Sequence, residues 1–111
     1  MGNANYGYVA AGQAPSGSPG QQSSTERIDY SSDTSTASPK GPLANANPSS
    51  NGLHATGNNS FGYFVYPNRT FVNRVDYSND TATASSRGNL STNSPSYGDK
   101  GFSAAQNGLP N

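Results

Sequence analysis

The chain has 111 residues, enough for one small domain, and its composition excludes several classes of protein. Six basic and six acidic residues cancel, which argues against a nucleic-acid partner, and no apolar run approaches the length of a membrane span. Cysteine is absent, which excludes disulfides and thiol chemistry. Leu, Ile, Val and Phe together number only 13, and we therefore predict a thin core rich in aromatic residues.

The predicted elements follow a repeat in the sequence. Residues 27–38 (RIDYSSDTSTAS) return 47 positions later as residues 74–85 (RVDYSNDTATAS). A fixed long period is typical of repeat proteins. We therefore divide the chain into a first repeat at residues 1–56, with a loop insertion at 13–24, and a second repeat at residues 57–111.

The strands are predicted from short aromatic and β-branched runs and from alternation of apolar and polar residues. In chain order, they are residues 6–10, 25–30 and 34–38 in the first repeat, and residues 61–66, 70–77 and 81–85 in the second. The Ser-Ser-Asp-Thr and Ser-Asn-Asp-Thr segments before the last strand of each repeat are predicted to be hairpin turns. No segment has a helical period, so the predicted fold class is all-β.

The two ends of the chain are also related to the repeat. Residues 2–8 match residues 57–63 at an offset of 55, and residues 101–104 match residues 52–55 at an offset of 49. The chain thus begins with a Tyr-Gly-Tyr element and closes with the element that precedes one in the second repeat. We expect the C-terminal segment, residues 101–111, to complete the sheet of the first repeat, within one chain or between chains.

This repeat resembles the blades of kelch-type β-propellers, in which an aromatic strand, an Arg-Tyr-Asp strand, a polar turn and a third strand follow one another. The corresponding segments are residues 6–12 and 61–64, residues 27–29 and 74–76, and residues 33–36 and 80–83. The repeated segment is also similar to degenerate kelch-like repeats of marine virus and phage surface or fibre proteins. The resemblance implies two antiparallel blades of about 50 residues each. Since a propeller needs about four blades, it also implies completion by oligomerisation, with a filament built by strand exchange as the alternative.

The ionisable residues do not indicate an enzyme. His54 is the only histidine, which is too few for a zinc site, and no nucleophile elbow is present. We predict no catalytic residue, no metal site and no cofactor.

The regularly spaced acids are predicted to be structural. Asp33 and Asp80 are expected to cap turns, whereas Asp29 and Asp76 are expected to pair with an arginine of a neighbouring strand. Arg27 and Arg74 are the predicted arginines. A calcium site and the carboxylate pair of a glycosidase are the less favoured alternatives.

Two further sets of residues are singled out. The residues predicted to contribute to assembly are Tyr6, Tyr8, Phe61, Tyr63 and Phe102. Between burial in the core and a sugar-stacking surface, burial in the core is the favoured environment for the aromatic residues of the strands. The asparagines in Asn-x-Ser/Thr sequons, and hence the candidate glycosylation sites, are Asn58, Asn68, Asn79 and Asn89.

These observations favour a non-enzymatic structural subunit whose partners are copies of itself. We expect a ring or a filament, formed by β pairing between chains, on a virion or outside a cell. Residues 101–107 of one chain would dock beside residues 5–10 of the next. The alternative is a propeller-like adhesin that binds a glycan or a host surface through residues 13–24 and 45–50. Neither a nucleic acid nor insertion into a membrane is expected.

Overall fold

Two antiparallel sheets make up the part of the chain that the computed structural model describes, which is residues 1–10, 23–45, 53–66 and 69–92. We call the first two segments unit 1 and the last two unit 2. All strand pairs in these segments are antiparallel, and the segments contain no α-helix. The all-β class predicted from the sequence is therefore confirmed.

The strands are short, as expected for a chain with few apolar residues. Unit 1 has the strand order β1-β2-β3, formed by Tyr6–Ala10, Thr25–Asp29 and Ser38–Lys40. Unit 2 has the order β4-β5-β6-β7, formed by His54–Gly57, Phe61–Val65, Val72–Asp76 and Ser85–Arg87. A 3-10 turn follows the second strand of the repeat in both units, at Tyr30–Ser32 and Tyr77–Asn79.

The two units share one pairing register. Tyr8 pairs with Arg27 in unit 1, and Tyr63 pairs with Arg74 in unit 2, at sequence offsets of 55 and 47. The other pairs of β1 with β2 and of β2 with β3 have their counterparts in unit 2 at the same two offsets. Residues that are equivalent in the sequence repeat therefore occupy equivalent places in the two sheets.

The return strands begin later than the sequence predicts. The carboxylates of Asp29 and Asp76 each accept the backbone N–H and the hydroxyl of the serine two residues on, at 2.6–2.9 Å. These bonds hold a 3-10 turn after the strand, and the chain passes through further turn residues before pairing resumes. As a result, β3 and β7 start where the predicted strands, residues 34–38 and 81–85, end.

The hydrophobic core lies between the two units. Its buried cluster consists of Leu43, Phe64, Tyr66, Val75 and Ala84. Leu43 is the contribution of unit 1 and comes from the segment that follows β3. Because the cluster combines residues from both units, the sheets stabilise each other by sharing apolar surface.

Successive residues of a strand point to opposite faces, so each sheet has one face in the junction between the units and one outer face. In unit 1 the junction face carries Tyr8, Arg27 and Lys40, and the outer face carries Gly7, Val9, Glu26 and Ile28. In unit 2 the junction face carries Gly62, Phe64, Asn73 and Val75, and the outer face carries Tyr63, Arg74 and Arg87. The junction therefore joins opposite sides of two equivalent sheets, which is a head-to-tail contact.

Candidate functional site at the junction of the two units

One aspartate of unit 2 binds three side chains of unit 1. Asp80 is 8% exposed. Its Oδ2 accepts a hydrogen bond from the Tyr8 hydroxyl at 2.9 Å and from Arg27 Nη1 at 2.8 Å. Lys40 Nζ lies 3.4 Å from its Oδ1. We call Tyr8, Arg27 and Lys40 the carboxylate socket of unit 1.

Local structure positions the members of this site. Tyr8 and Arg27 face each other across β1 and β2, and the Arg27 guanidinium lies 4.1 Å from the centroid of the Tyr6 ring. This cation–π contact holds the guanidinium in one direction. Asp80 ends the 3-10 turn after β6, and the Asp76 carboxylate caps the start of the same turn. Backbone geometry therefore presents the Asp80 carboxylate to the socket.

The junction shifts the pKa of two residues in the socket. Burial, together with the hydrogen bond and the charge of Asp80, raises the pKa of the Tyr8 hydroxyl well above its ordinary value. Tyr8 therefore remains a hydrogen-bond donor. Desolvation lowers the pKa of Arg27, but the Asp80 charge and the hydrogen bonds outweigh it and the pKa is raised overall. Two cations and a hydroxyl thus offset the cost of burying one carboxylate.

Aromatic and backbone contacts surround the socket. The rings of Tyr8 and Tyr77 stack with their centroids 4.8 Å apart. The N–H of Gly41 donates to the carbonyl of Asp80, and the N–H of Ala84 donates to the carbonyl of Pro42, both at 2.8 Å. The turn of unit 2 is therefore joined to unit 1 by main-chain hydrogen bonds as well as by side chains.

The acids have roles that differ from those predicted from the sequence. Asp29 and Asp76 cap the 3-10 turns instead of pairing with arginines, and hydrogen bonds from the capped serine lower the pKa of both carboxyl groups. Asp80, predicted to cap a turn, pairs with Arg27. The physical reason is the turn, which carries Asp80 away from its own strands to the neighbouring unit. Arg27 is thus a correctly predicted ion-pair residue with a wrongly predicted partner.

The repeat equivalents of these residues lie on the outer faces. Asp33 is equivalent to Asp80 and is exposed in unit 1. The equivalents of the socket residues are Tyr63, Arg74 and Arg87. Neither Asp33 nor these two arginines has an ion-pair partner within the described segments. The Arg74 guanidinium lies 4.2 Å from the centroid of Phe61, as that of Arg27 lies over Tyr6.

The exposed apolar residues are likewise equivalents, in the repeat, of residues that lie at the junction. In the described part of the chain the large ones are Val9, Tyr30 and Leu90, which are 56%, 52% and 40% exposed. Their repeat equivalents, Phe64, Tyr77 and Leu43, lie in the junction or pack against its core. Each unit thus exposes, on its outer face, residues of the kind that the junction covers.

An open groove of 350 Å³ lies on the outer face of unit 1, beside Gly7, Val9, Ile28 and Tyr30. In unit 2 the equivalent place is occupied. Met1 lies so close to Gly62 that a Cβ there would overlap the Met1 side chain, and Tyr8 covers Tyr77. The groove on unit 1 therefore corresponds to the surface of unit 2 that Met1 and Tyr8 cover.

The residues predicted to contribute to assembly have different environments. Tyr8 is buried in the junction of its own chain, Tyr6 and Phe61 lie under the arginines, and Tyr63 is half-buried on the outer face of unit 2. Phe102 lies outside the described residues.

Lys40, which belongs to the socket of unit 1, and Arg87, which has the equivalent position in unit 2, were not singled out from the sequence. The signal was available, because both are basic and occupy the same place in the repeat.

The sequons stay a prediction. Asn79 and Asn89 are exposed, and Asn58 is exposed with its side-chain oxygen accepting the N–H groups of Ser60 and Phe61. Asn68 lies outside the described residues. The predicted adhesin loops are described only at residues 23, 24 and 45.

The described residues form neither a metal site nor a membrane-spanning helix. Within the four described segments, no three His, Asp or Glu side chains are grouped so that they could hold a metal ion. No helix there is long and apolar enough to cross a bilayer.

The buried tyrosines predict a loss of stability in alkaline solution. Burial, with a contribution from Tyr30, raises the pKa of Tyr77 from 10 to about 12. Because the pKa of the Tyr77 hydroxyl is higher in the folded than in the unfolded chain, the neutral hydroxyl contributes to stability. This contribution is fully present below pH 10 and is lost as the pH rises through about 12. We expect the urea midpoint to fall above pH 10 and to fall less in Tyr77→Phe. An equal fall in the variant would show that other groups cause it.

The comparisons with known proteins assign no relatives to this fold. No protein-family model matches the chain, and no curated protein or solved structure is similar enough to it to count as a match.

Proposed function

We propose that the protein is a non-enzymatic structural subunit that assembles with copies of itself through a repetition of its own internal junction. The observation that carries this proposal is the equivalence of the faces. The outer face of unit 2 corresponds to the junction face of unit 1, and the outer face of unit 1 corresponds to the junction face of unit 2. A second copy could therefore stack on the first as unit 2 stacks on unit 1.

The apolar residues support this arrangement. Leu43 is 3% exposed and packs in the cluster of Phe64, Val75 and Ala84, whereas its equivalent Leu90 is 40% exposed. In a repeated junction, Leu90 of one copy would meet the equivalents of that cluster on the next copy, which are Val9, Ile28 and Ala37. Exposed apolar groups that match each other across two ends of a molecule indicate an interaction surface.

A contact of this type gives a ring or a filament. The two surfaces are different parts of the chain, so the interface is heterologous. Copies add in one direction, and they form a ring if the rotation between neighbours closes and a filament if it does not. The resemblance to kelch-like blades supports a closed, propeller-like ring, and the strand-exchange filament is the alternative. A virion or extracellular location remains a prediction.

The edge of β1 supports a further contribution from β pairing. In unit 2 the strand β4 covers this edge of β5 over four residue pairs, whereas in unit 1 the N-terminal residues cover only the first part of it, through the Gly2–Gly7 bridge and the hydrogen bonds between Met1 and the backbone of Tyr8. Within the described residues, Val9 and Ala10 have no partner strand on this edge. Exposed edges accept strands from other chains. Residues 101–107, predicted to supply such a strand, lie outside the described residues.

Leu90→Ala is expected to weaken self-association about tenfold or more, because burying a leucine contributes about 1.5–3 kcal/mol. Analytical ultracentrifugation over a range of concentrations measures this. The matched variant Leu43→Ala, at the equivalent buried position, should instead destabilise the fold by about 2–4 kcal/mol. A wild-type chain that stays monomeric throughout the concentration range would contradict the proposed function.

A further inference from the structure

The polar residues of the outer faces form two halves of an incomplete site. We infer that Tyr63, Arg74 and Arg87 form a second carboxylate socket, and that its ligand is the Asp33 side chain of another copy of this chain. This inference rests on the proposed function, and it specifies the chemistry and the direction of the contact.

The socket half is built like the one that is occupied. Tyr63 and Arg74 form the same cross-strand pair as Tyr8 and Arg27, and Arg87 has the place of Lys40 in the third strand. The Arg74 guanidinium has the same cation–π support, at 4.2 Å from the Phe61 ring. Its Nε is buried without a hydrogen-bond partner among the described residues, as is the Nε of Arg27 in the occupied socket, so the two guanidiniums are held alike. A carboxylate is the ligand that such a cluster of cations and a hydroxyl binds.

The ligand half is also built like its counterpart. Asp33 follows the 3-10 turn of unit 1 with φ −70° and ψ −10°, close to φ −75° and ψ −2° for Asp80. Asp29 caps this turn as Asp76 caps the other. Asp33 is exposed, so its carboxylate is available to another copy.

The surroundings of the two halves complete the match. Tyr30 is 52% exposed and is equivalent to Tyr77, on which Tyr8 stacks, so Tyr63 of another copy has a ring to stack on. Among the described residues, no atom lies within 4 Å of a Cβ at Gly88, whereas a Cβ at the equivalent Gly41 would overlap the backbone of unit 2. The described part of the chain therefore leaves room for a neighbouring turn at Gly88.

The direction of assembly follows from this pairing. Asp33 is on unit 1 and the second socket is on unit 2, so one copy offers a carboxylate at one end and cations at the other. Two copies joined by one such contact keep an unused half at each end. The assembly therefore grows head to tail.

Charge reversal on each half tests the inference. Asp33→Arg and the double variant Arg74→Glu/Arg87→Glu should each weaken self-association about 30-fold or more. Because the substituted residues lie on outer faces, the variants are expected to fold. Circular dichroism and thermal unfolding check this. Ultracentrifugation of each variant alone measures the loss.

Mixing the two variants gives the sharper result. The Asp33→Arg chain keeps its socket for Asp33 of the double variant, and its introduced arginine faces the reversed socket of that variant. We therefore expect the mixture to assemble again, with the two chains alternating, although each variant alone associates weakly. A triple variant that carries all three substitutions should assemble with itself again, because both charges are reversed together.

The outcomes separate the inference from the proposed function. A wild-type chain that does not associate contradicts both. A wild-type chain that associates, with charge variants that associate equally well, contradicts the socket and leaves the structural role in place. A mixture of the two variants that does not assemble, while the wild-type chain does, also contradicts the head-to-tail pairing.

Discussion

Replacing Asp80 by asparagine is expected to lower the free energy of unfolding by about 3 kcal/mol, because it leaves two largely covered cations without their counter-charge. Asp80 is the shared acceptor for Arg27, Lys40 and the Tyr8 hydroxyl, and the two cations are largely covered in the junction. Urea unfolding at neutral pH, at a protein concentration low enough to keep the chain monomeric, measures the change.

The matched control is Asp33→Asn. Asp33 has nearly the same neighbours in sequence and the same turn, but it is exposed and has no ion-pair partner in the described residues. Its replacement should change the stability of the monomer by less than about 0.5 kcal/mol. Similar losses in the two variants would show that the aspartate stabilises the turn and not the junction.

Gly41→Ala is expected to destabilise the fold by about 2 kcal/mol, because the junction has no space for a methyl group at this position. A Cβ on Gly41 would overlap the carbonyl oxygen of Ala82. That atom belongs to the backbone of the other unit, and Gly41 also donates its N–H to the Asp80 carbonyl at 2.8 Å. The methyl group can fit only if the units move apart, which disturbs the socket. Thermal and urea unfolding of the monomer measure the effect.

Gly88→Ala is the control for this substitution. The two glycines are equivalent in the repeat, yet no atom of the described residues lies within 4 Å of a Cβ at Gly88. The monomer should therefore keep its stability within about 0.5 kcal/mol. In a repeated junction, however, Gly88 approaches the turn of another copy, so the same variant should associate more weakly than the wild type. Normal association of Gly88→Ala would contradict the stacking proposed above.

Local features of the fold were accessible from the sequence. The prediction of a strand at residues 6–10 matches β1, and the predictions at 25–30, 61–66 and 70–77 contain β2, β5 and β6. Strands of this type follow from aromatic and β-branched residues that are adjacent in the chain. The return strands were placed too early, because the side-chain bonds of Asp29 and Asp76 lengthen the turn before them.

The candidate site was less accessible. Arg27 was expected to have a carboxylate partner, but the partner comes from the other unit, 53 residues away in sequence. Tyr8 was assigned to assembly between chains, and it binds Asp80, 72 residues away in its own chain. Pairings over such distances depend on which faces of the two sheets meet, and no local pattern encodes that choice.

The repeat, the all-β class and the equivalence of residues such as Asp33 and Asp80 can be predicted from the chain alone, since they depend on neighbours along it. The burial of Asp80 in a socket, while Asp33 faces solvent, depends on how the two sheets pack and is visible in the fold alone. The two aspartates have nearly the same sequence context and the same turn. They differ because the units stack head to tail. Two units form one junction, which buries the junction face of each, and the outer face of each unit stays exposed.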